Sequence, residues 1–164
     1  MAGKRDVVWV ADKIIALLKA SLPAKLNVLD AEYNDGIVLE DVQNDSYHVA
    51  PQLEPMNFPV VTVLYSNTDV HPFDGQSKYN LEHHMLDICV ALISRGESED
   101  ELMRRTSRTL RAIEEVILGD RSALGMLNDT LIISKSCDRM FADENNGLFQ
   151  EAQITVRAET QTTT

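Results

Sequence analysis

Hydrophobic positions recur with two different periods along this chain. Between residues 6 and 22, Val7, Ala11, Ile14, Leu18 and Leu22 centre one face of a helical wheel, flanked by Val8, Val10, Ile15 and Leu17. That spacing predicts an amphipathic helix. Asp6 fits its N-cap and Pro23 its end. Two short apolar stretches follow, Leu26–Leu29 and Ile37–Leu39, on either side of Asn34-Asp35-Gly36. A turn signal between two apolar stretches predicts a hairpin. Residues 41–58, with Pro51 and Pro55 among polar neighbours, read as loop. Pro59 opens a β-branched strand, Val60–Tyr65. Residues 66–78 read as a long polar loop.

From 79 to 93 both periods fit. Leu86, Ile88, Val90 and Leu92 alternate, while Leu81, Met85, Ile88 and Leu92 also suit a helix. We read a long strand, buried in its C-terminal half. Residues 98–118 predict a second helix. Ser98-Glu99-Asp100-Glu101 is a capping box, and Leu102, Thr106, Thr109, Leu110, Ile113, Val116 and Ile117 form the apolar face. Gly119 fits the C′ position, and 120–128 reads as turn. Leu131–Ser134 and Ala152–Ala158 are two closing strands around the turn Asp143–Gly147. Strands that follow one another without interleaved helices favour an antiparallel sheet. The fold class is therefore α+β: a mainly antiparallel sheet packed on one face by two amphipathic helices. One domain spans 1–158, and 159–164 is expected as a flexible tail.

Composition narrows the functional classes. The 164 residues carry 15 Lys+Arg against 26 Asp+Glu, a net charge of −11. A generic nucleic-acid binder would show a basic field instead. Such acidity suits a surface that must not adhere to DNA, including a conduit through which DNA slides. Two cysteines, Cys89 and Cys137, make no disulfide framework and read as reduced, intracellular thiols. Val7–Ala11 is too short for a secretory h-region, and Ile88–Ile93 is too short for a membrane span.

Catalytic signatures do not emerge. The seven glycines, at 3, 36, 75, 96, 119, 125 and 147, form neither a dinucleotide fingerprint nor a phosphate-binding loop. There is no nucleophile elbow and no Cys-x-x-Cys. His83, Asp87 and Cys89 share one face of a strand, but span about 20 Å at 3.3 Å per residue, too far for one metal ion. Pro72-Phe73-Asp74 lacks the following carboxylate and lysine of a nuclease site. No metal and no cofactor is expected. Surface features offer more. Trp9, Ala16 and Ala20 fall opposite the core stripe of the first helix, and a lone outward Trp is a candidate contact anchor. The plainer alternative packs Trp9 inside its own subunit. Arg104, Arg108 and Arg111 lie with Glu115 on the outer face of the second helix, available to acidic groups of a neighbouring copy. The plainer reading is a solvated face with internal pairs, Asp100–Arg104 and Glu101–Arg105. Phe73 and Asp74 in the 66–78 loop complete the candidate subunit contacts.

The layout resembles bacteriophage tail terminator, or tail-completion, proteins. The residues that carry it are the helix Val7–Leu22, the Pro-Val-Val-Thr-Val strand at 59–63 and the polar loop after it. Next come the strand Leu86–Leu92, the acidic cap Glu97–Glu101, the helix with Arg-Ala-Ile-Glu-Glu-Val-Ile-Leu at 111–118, and Gly119–Gly125 leading into the closing strands. The resemblance covers roughly 6–158. It implies a structural α+β subunit, not an enzyme, that assembles as a homohexameric ring at the head-proximal end of the tail tube. The implied partners are the chain itself, the tail tube protein, the head–tail connector and neck proteins, and the sheath protein in contractile phages. DNA would pass through the lumen without specific binding. The implied location is the tail–neck junction of the virion, after assembly in the host cytoplasm. Two alternatives stay open at this point: another neck component, such as a head-closure or tail-adaptor protein, or a small cytoplasmic host-binding module or enzyme. The enzyme reading would require His71, His83, Asp74 and Asp87 to converge.

Overall fold

The computed structural model describes residues 7–50, 57–72, 81–127, 129–143 and 147–163. The chain runs α1 (Val7–Tyr33), a 3-10 turn (Asn44–Ser46), β1 (Tyr47–His48), β2 (Val60–Pro72), β3 (Leu81–Gly96), α2 (Glu99–Gly119), β4 (Asp129–Asp143) and β5 (Gly147–Thr163). One sheet has the strand order β1-β2-β3-β5-β4. β1 joins β2 in parallel; every other pairing is antiparallel. The α+β class is thus as expected from sequence.

The first helix is the largest departure. α1 does not stop at Pro23 but runs through it to Tyr33. The apolar stripe explains this. Leu22, Leu26 and Leu29 continue the i, i+4, i+3 spacing of Ile14 and Leu18, and all five are essentially inaccessible. Burying two more leucines outweighs the hydrogen bond that a proline removes. Consequently Leu26–Leu29 is helix, and no hairpin forms at 24–39. The Asn34-Asp35-Gly36 signal marks the helix end instead. Asn34 takes φ +43° and Gly36 φ +84°, left-handed conformations that both residues tolerate. The chain then returns along α1, fastened where the Asp30 carboxylate accepts the Leu39 amide at 3.0 Å. Asp6 lies outside the described residues.

α2 spans the expected segment, and all seven residues of its apolar face are buried. Its ends differ in detail. Ser98 occupies the N-cap, but its hydroxyl caps no amide, so the capping box is not formed. Gly119 stays helical, and Asp120 takes the C-cap. The left-handed residues come later, in the turn Ala123-Leu124-Gly125.

The strands are longer than their apolar runs. β2 continues to Pro72, so residues 66–72 are strand and not loop, with a bulge between Tyr65 and Asn67. β3 and β5 pair from Leu81↔Thr163 to Gly96↔Leu148. Residues 159–163 therefore belong to the sheet, where a free tail was expected, and Thr160 is fully buried. On this central pair Leu86, Ile88, Val90 and Leu92 face the helices together with Ala152, Ile154, Val156 and Ala158. Both helices cover that face. The opposite face bears Asp87, Cys89, Gln153, Thr155 and Arg157, all half-buried.

Candidate functional site

The strongest polar arrangement joins the end of α1 to the middle of α2. Arg108 donates to both carboxylate oxygens of Asp35, at 2.9 and 2.5 Å, and its guanidinium lies 3.9 Å from the centre of the Tyr33 ring. One turn on, Arg111 donates to Glu115 at 2.7 Å, to Glu32 at 3.1 Å and to the Tyr33 hydroxyl at 2.9 Å. Lys25 also pairs with Glu115. Electrostatics follow the geometry. Arg108 holds the Asp35 carboxyl well below the usual carboxylate range, and Lys25 with Arg111 lowers that of Glu115. Matched spacing produces the network: Glu32 and Asp35 at the end of α1 oppose Arg108 and Arg111 on α2, each pair three residues apart.

This corrects one candidate. Arg108 does not project from an outer face; it is 7% exposed and ties α2 to α1. Arg111 is part-exposed but fully engaged. Arg104 is exposed and pairs with Asp100 at 2.9 Å; Arg105 pairs with Glu101 at 2.5 Å. These two intrahelical pairs are the ones expected from spacing. Trp9 is half-buried against the core, with the Lys13 ammonium 5.4 Å from its ring centre. Ala16 and Ala20 are exposed. Phe73 and Asp74 lie outside the described residues.

The open sheet face holds two features that pattern reading missed. Arg157 grips both oxygens of Asp87, at 2.7 and 2.9 Å, and so lowers its carboxyl. At one end, Phe149 packs on Phe58 at 5.3 Å and on Phe141 at 5.5 Å between ring centres. Neither was visible as a motif, because cross-strand partners are set by register alone.

Among the described residues, no catalytic cluster is assembled. His71 and His83 are backbone partners across β2 and β3, but Asp87 is committed to Arg157 and Asp74 is outside the described residues. Burial pushes both thiols up, away from thiolate reactivity. The Cys89 thiol donates to Gln153, and Cys137 accepts from Gln150. Ser122 donates to Asp120 at 2.7 Å, yet both hold the turn by accepting the Gly125 and Leu124 amides. Among the described residues, no three His, Cys, Asp or Glu side chains group to hold a metal ion. A cleft of about 600 Å³ at the start of α2 is lined by Glu40, Glu97, Glu101, Arg95 and Arg105. Its charges are largely self-neutralised, Arg105 pairing with Glu40 at 2.8 Å as well as with Glu101.

No helix among the described residues is long and apolar enough to cross a membrane. What remains as a candidate surface is the sheet's own margin. β4 is an edge strand, with Leu131, Ile133 and Phe141 exposed by 40–50%.

No protein-family model matches this chain. No curated protein matches it either. Among solved structures, the chain is similar to one from the virion of a native gene transfer agent particle. The identity is 12%, the match covers 88% of this chain and 95% of that one, and the TM-score is 0.38.

Proposed function

We propose that this chain is a structural virion subunit of the tail terminator type. Copies would form a ring, a homohexamer by the resemblance, at the head-proximal end of a tail tube. The ring would stop tube growth and join the tail to the head connector. The observation that carries the reading is the element order. The helix–strand–strand–helix–strand–strand succession that the resemblance rests on is the order of α1, β2, β3, α2, β4 and β5. Among the described residues, Arg108, Arg111 and Arg157 are paired with carboxylates of the fold itself. The net charge of −11 suits a lumen that DNA must traverse without adhering. Ala16, Ala20 and Arg104, exposed on the helix layer, are available to the tube, neck or sheath partners.

The test is the solution mass by light scattering, with and without tail tube protein, alongside tube length by electron microscopy. A ring, or a subunit that caps tubes and halts their growth, is the expected result. A monomer indifferent to tubes refutes the reading.

A further inference from the structure

The sheet has two unlike margins. β4 closes one side over fifteen residues, Asp129–Asp143. On the other side, β1 covers β2 only at Val61 and Thr62. The outer edge of β2 from Val63 to Pro72 has no partner strand among the described residues. A long bare edge is a template for another strand, and proteins that stay monomeric guard it with charge. Lys135, in mid-β4, bends back to Glu114 on α2 at 2.8 Å.

Three geometric facts select the occupant. First, strand direction alternates across β2, β3, β5 and β4, which leaves β4 antiparallel to β2. A second copy set with its β2 against β4 extends the same antiparallel sheet, with its helices on the same side. Second, the bare part of β2 and the apolar part of β4 lie at one level. Leu131 lines up through Arg157 and Asp87 with Asn67; Ser134 lines up through Thr155 and Cys89 with Leu64. Rotation about an axis along the strands brings these halves together without sliding. Third, this half carries exposed apolar side chains. Leu118, Leu124, Met126, Leu131 and Ile133, within one stretch from the end of α2 into β4, are each 40–49% exposed.

We infer that the second copy is the occupant: β4 of one subunit pairs with the outer edge of β2, around Leu64–Asp69, in the next. The contact joins two different patches, so it propagates head to tail and closes into a ring where the rotation permits. The inference rests on the ring reading and specifies its subunit contact.

The test combines mass and cross-linking, on free protein and on protein bound to tail tubes. Replacing Leu131 and Ile133 together by Lys places charge on an exposed edge without disturbing the core. It should weaken subunit association by about tenfold or more, with the melting temperature of the subunit unchanged. In a Cys137→Ser background, Leu131→Cys combined with Asn67→Cys should yield an oxidation ladder of dimers, trimers and higher species. Asn67→Cys is also exchanged for Tyr65→Cys or Asp69→Cys to scan the register. Rings that persist in the double lysine variant, or that give no ladder at any of the three positions, overturn the inference and leave the ring reading intact. Dimers from Leu131→Cys alone overturn it in favour of β4 pairing with β4. Wild-type protein that neither self-associates nor caps tubes removes both.

Discussion

Leu29 offers a sharp test of how the N-terminal third is built. It is wholly inaccessible, seven residues beyond Leu22 and past the proline. In a helix Leu26 and Leu29 share a face; in a strand Leu26 and Val28 do. Truncating Leu29 to Ala removes three carbon groups, about 2.4 kcal/mol at 0.8 kcal/mol each. The hole left behind adds to this, and measured Leu→Ala costs reach about 5 kcal/mol where surroundings cannot collapse. Leu29 sits near a helix end that can relax inward, so we expect about 3 kcal/mol. For a domain of this size that corresponds to a loss of about 6–12 °C in Tm. Leu26→Ala should behave alike. Val28→Ala, at a side chain 55% exposed, should stay within about 0.5 kcal/mol. Calorimetry or thermal circular dichroism on the three variants decides. Equal losses at positions 26 and 28, with position 29 neutral, would refute the continuous helix and restore the hairpin.

Acid should destabilise the fold. Arg108 depresses Asp35, Arg157 depresses Asp87, Lys25 with Arg111 depresses Glu115, and Ser122 with the Leu124 amide depresses Asp120. A carboxyl with a lowered folded pKa stabilises above its unfolded pKa, near 4, and loses that contribution as pH falls through the folded value. Tm should be flat from pH 7 to about 5 and drop below about 4, and Asp87→Asn should flatten the drop; an unchanged acid limb in that variant counts against the Arg157 pair. Arg108→Ala should lower Tm and speed amide exchange over 30–39, since it frees Asp35 and uncovers Tyr33; unaltered exchange there refutes its role as a tie between helices. Cys137 should alkylate with iodoacetamide more slowly at pH 8 than free cysteine, because burial, and secondly Asp138, raise its thiol. Asp138→Asn should restore only part of the rate, and a wild-type rate equal to the free thiol refutes the effect.

Periodicity made much of the architecture legible. The alternation at 86–92 and the seven-residue face of α2 are local patterns of one buried face, while the strand start after Pro59 shows as a β-branched run, Val60–Val63, buried throughout. The same logic extends to α1. Leu22, Leu26 and Leu29 already hold helical spacing, but Pro23 and the Asn34-Asp35-Gly36 signal carry more weight in local reading than two leucines. Only the burial of those leucines against the sheet and α2 settles the contest. The candidate surface divides along the same line. Exposure of Ala16, Ala20 and Arg104 follows from the helical wheel, and so do the Asp100–Arg104 and Glu101–Arg105 pairs. The burial of Arg108 does not, because its partner Asp35 lies 73 residues away. Nor do the lengths of β2, β4 and β5, whose polar outer halves are strand only because a neighbour supplies the hydrogen bonds. Strand order is likewise a long-range outcome: β5 inserts between β3 and β4 since its apolar alternation fits the centre, which leaves β4 and most of β2 as margins among the described residues. Local spacing tells which residues face inward; only the completed ladder tells which edges are left bare.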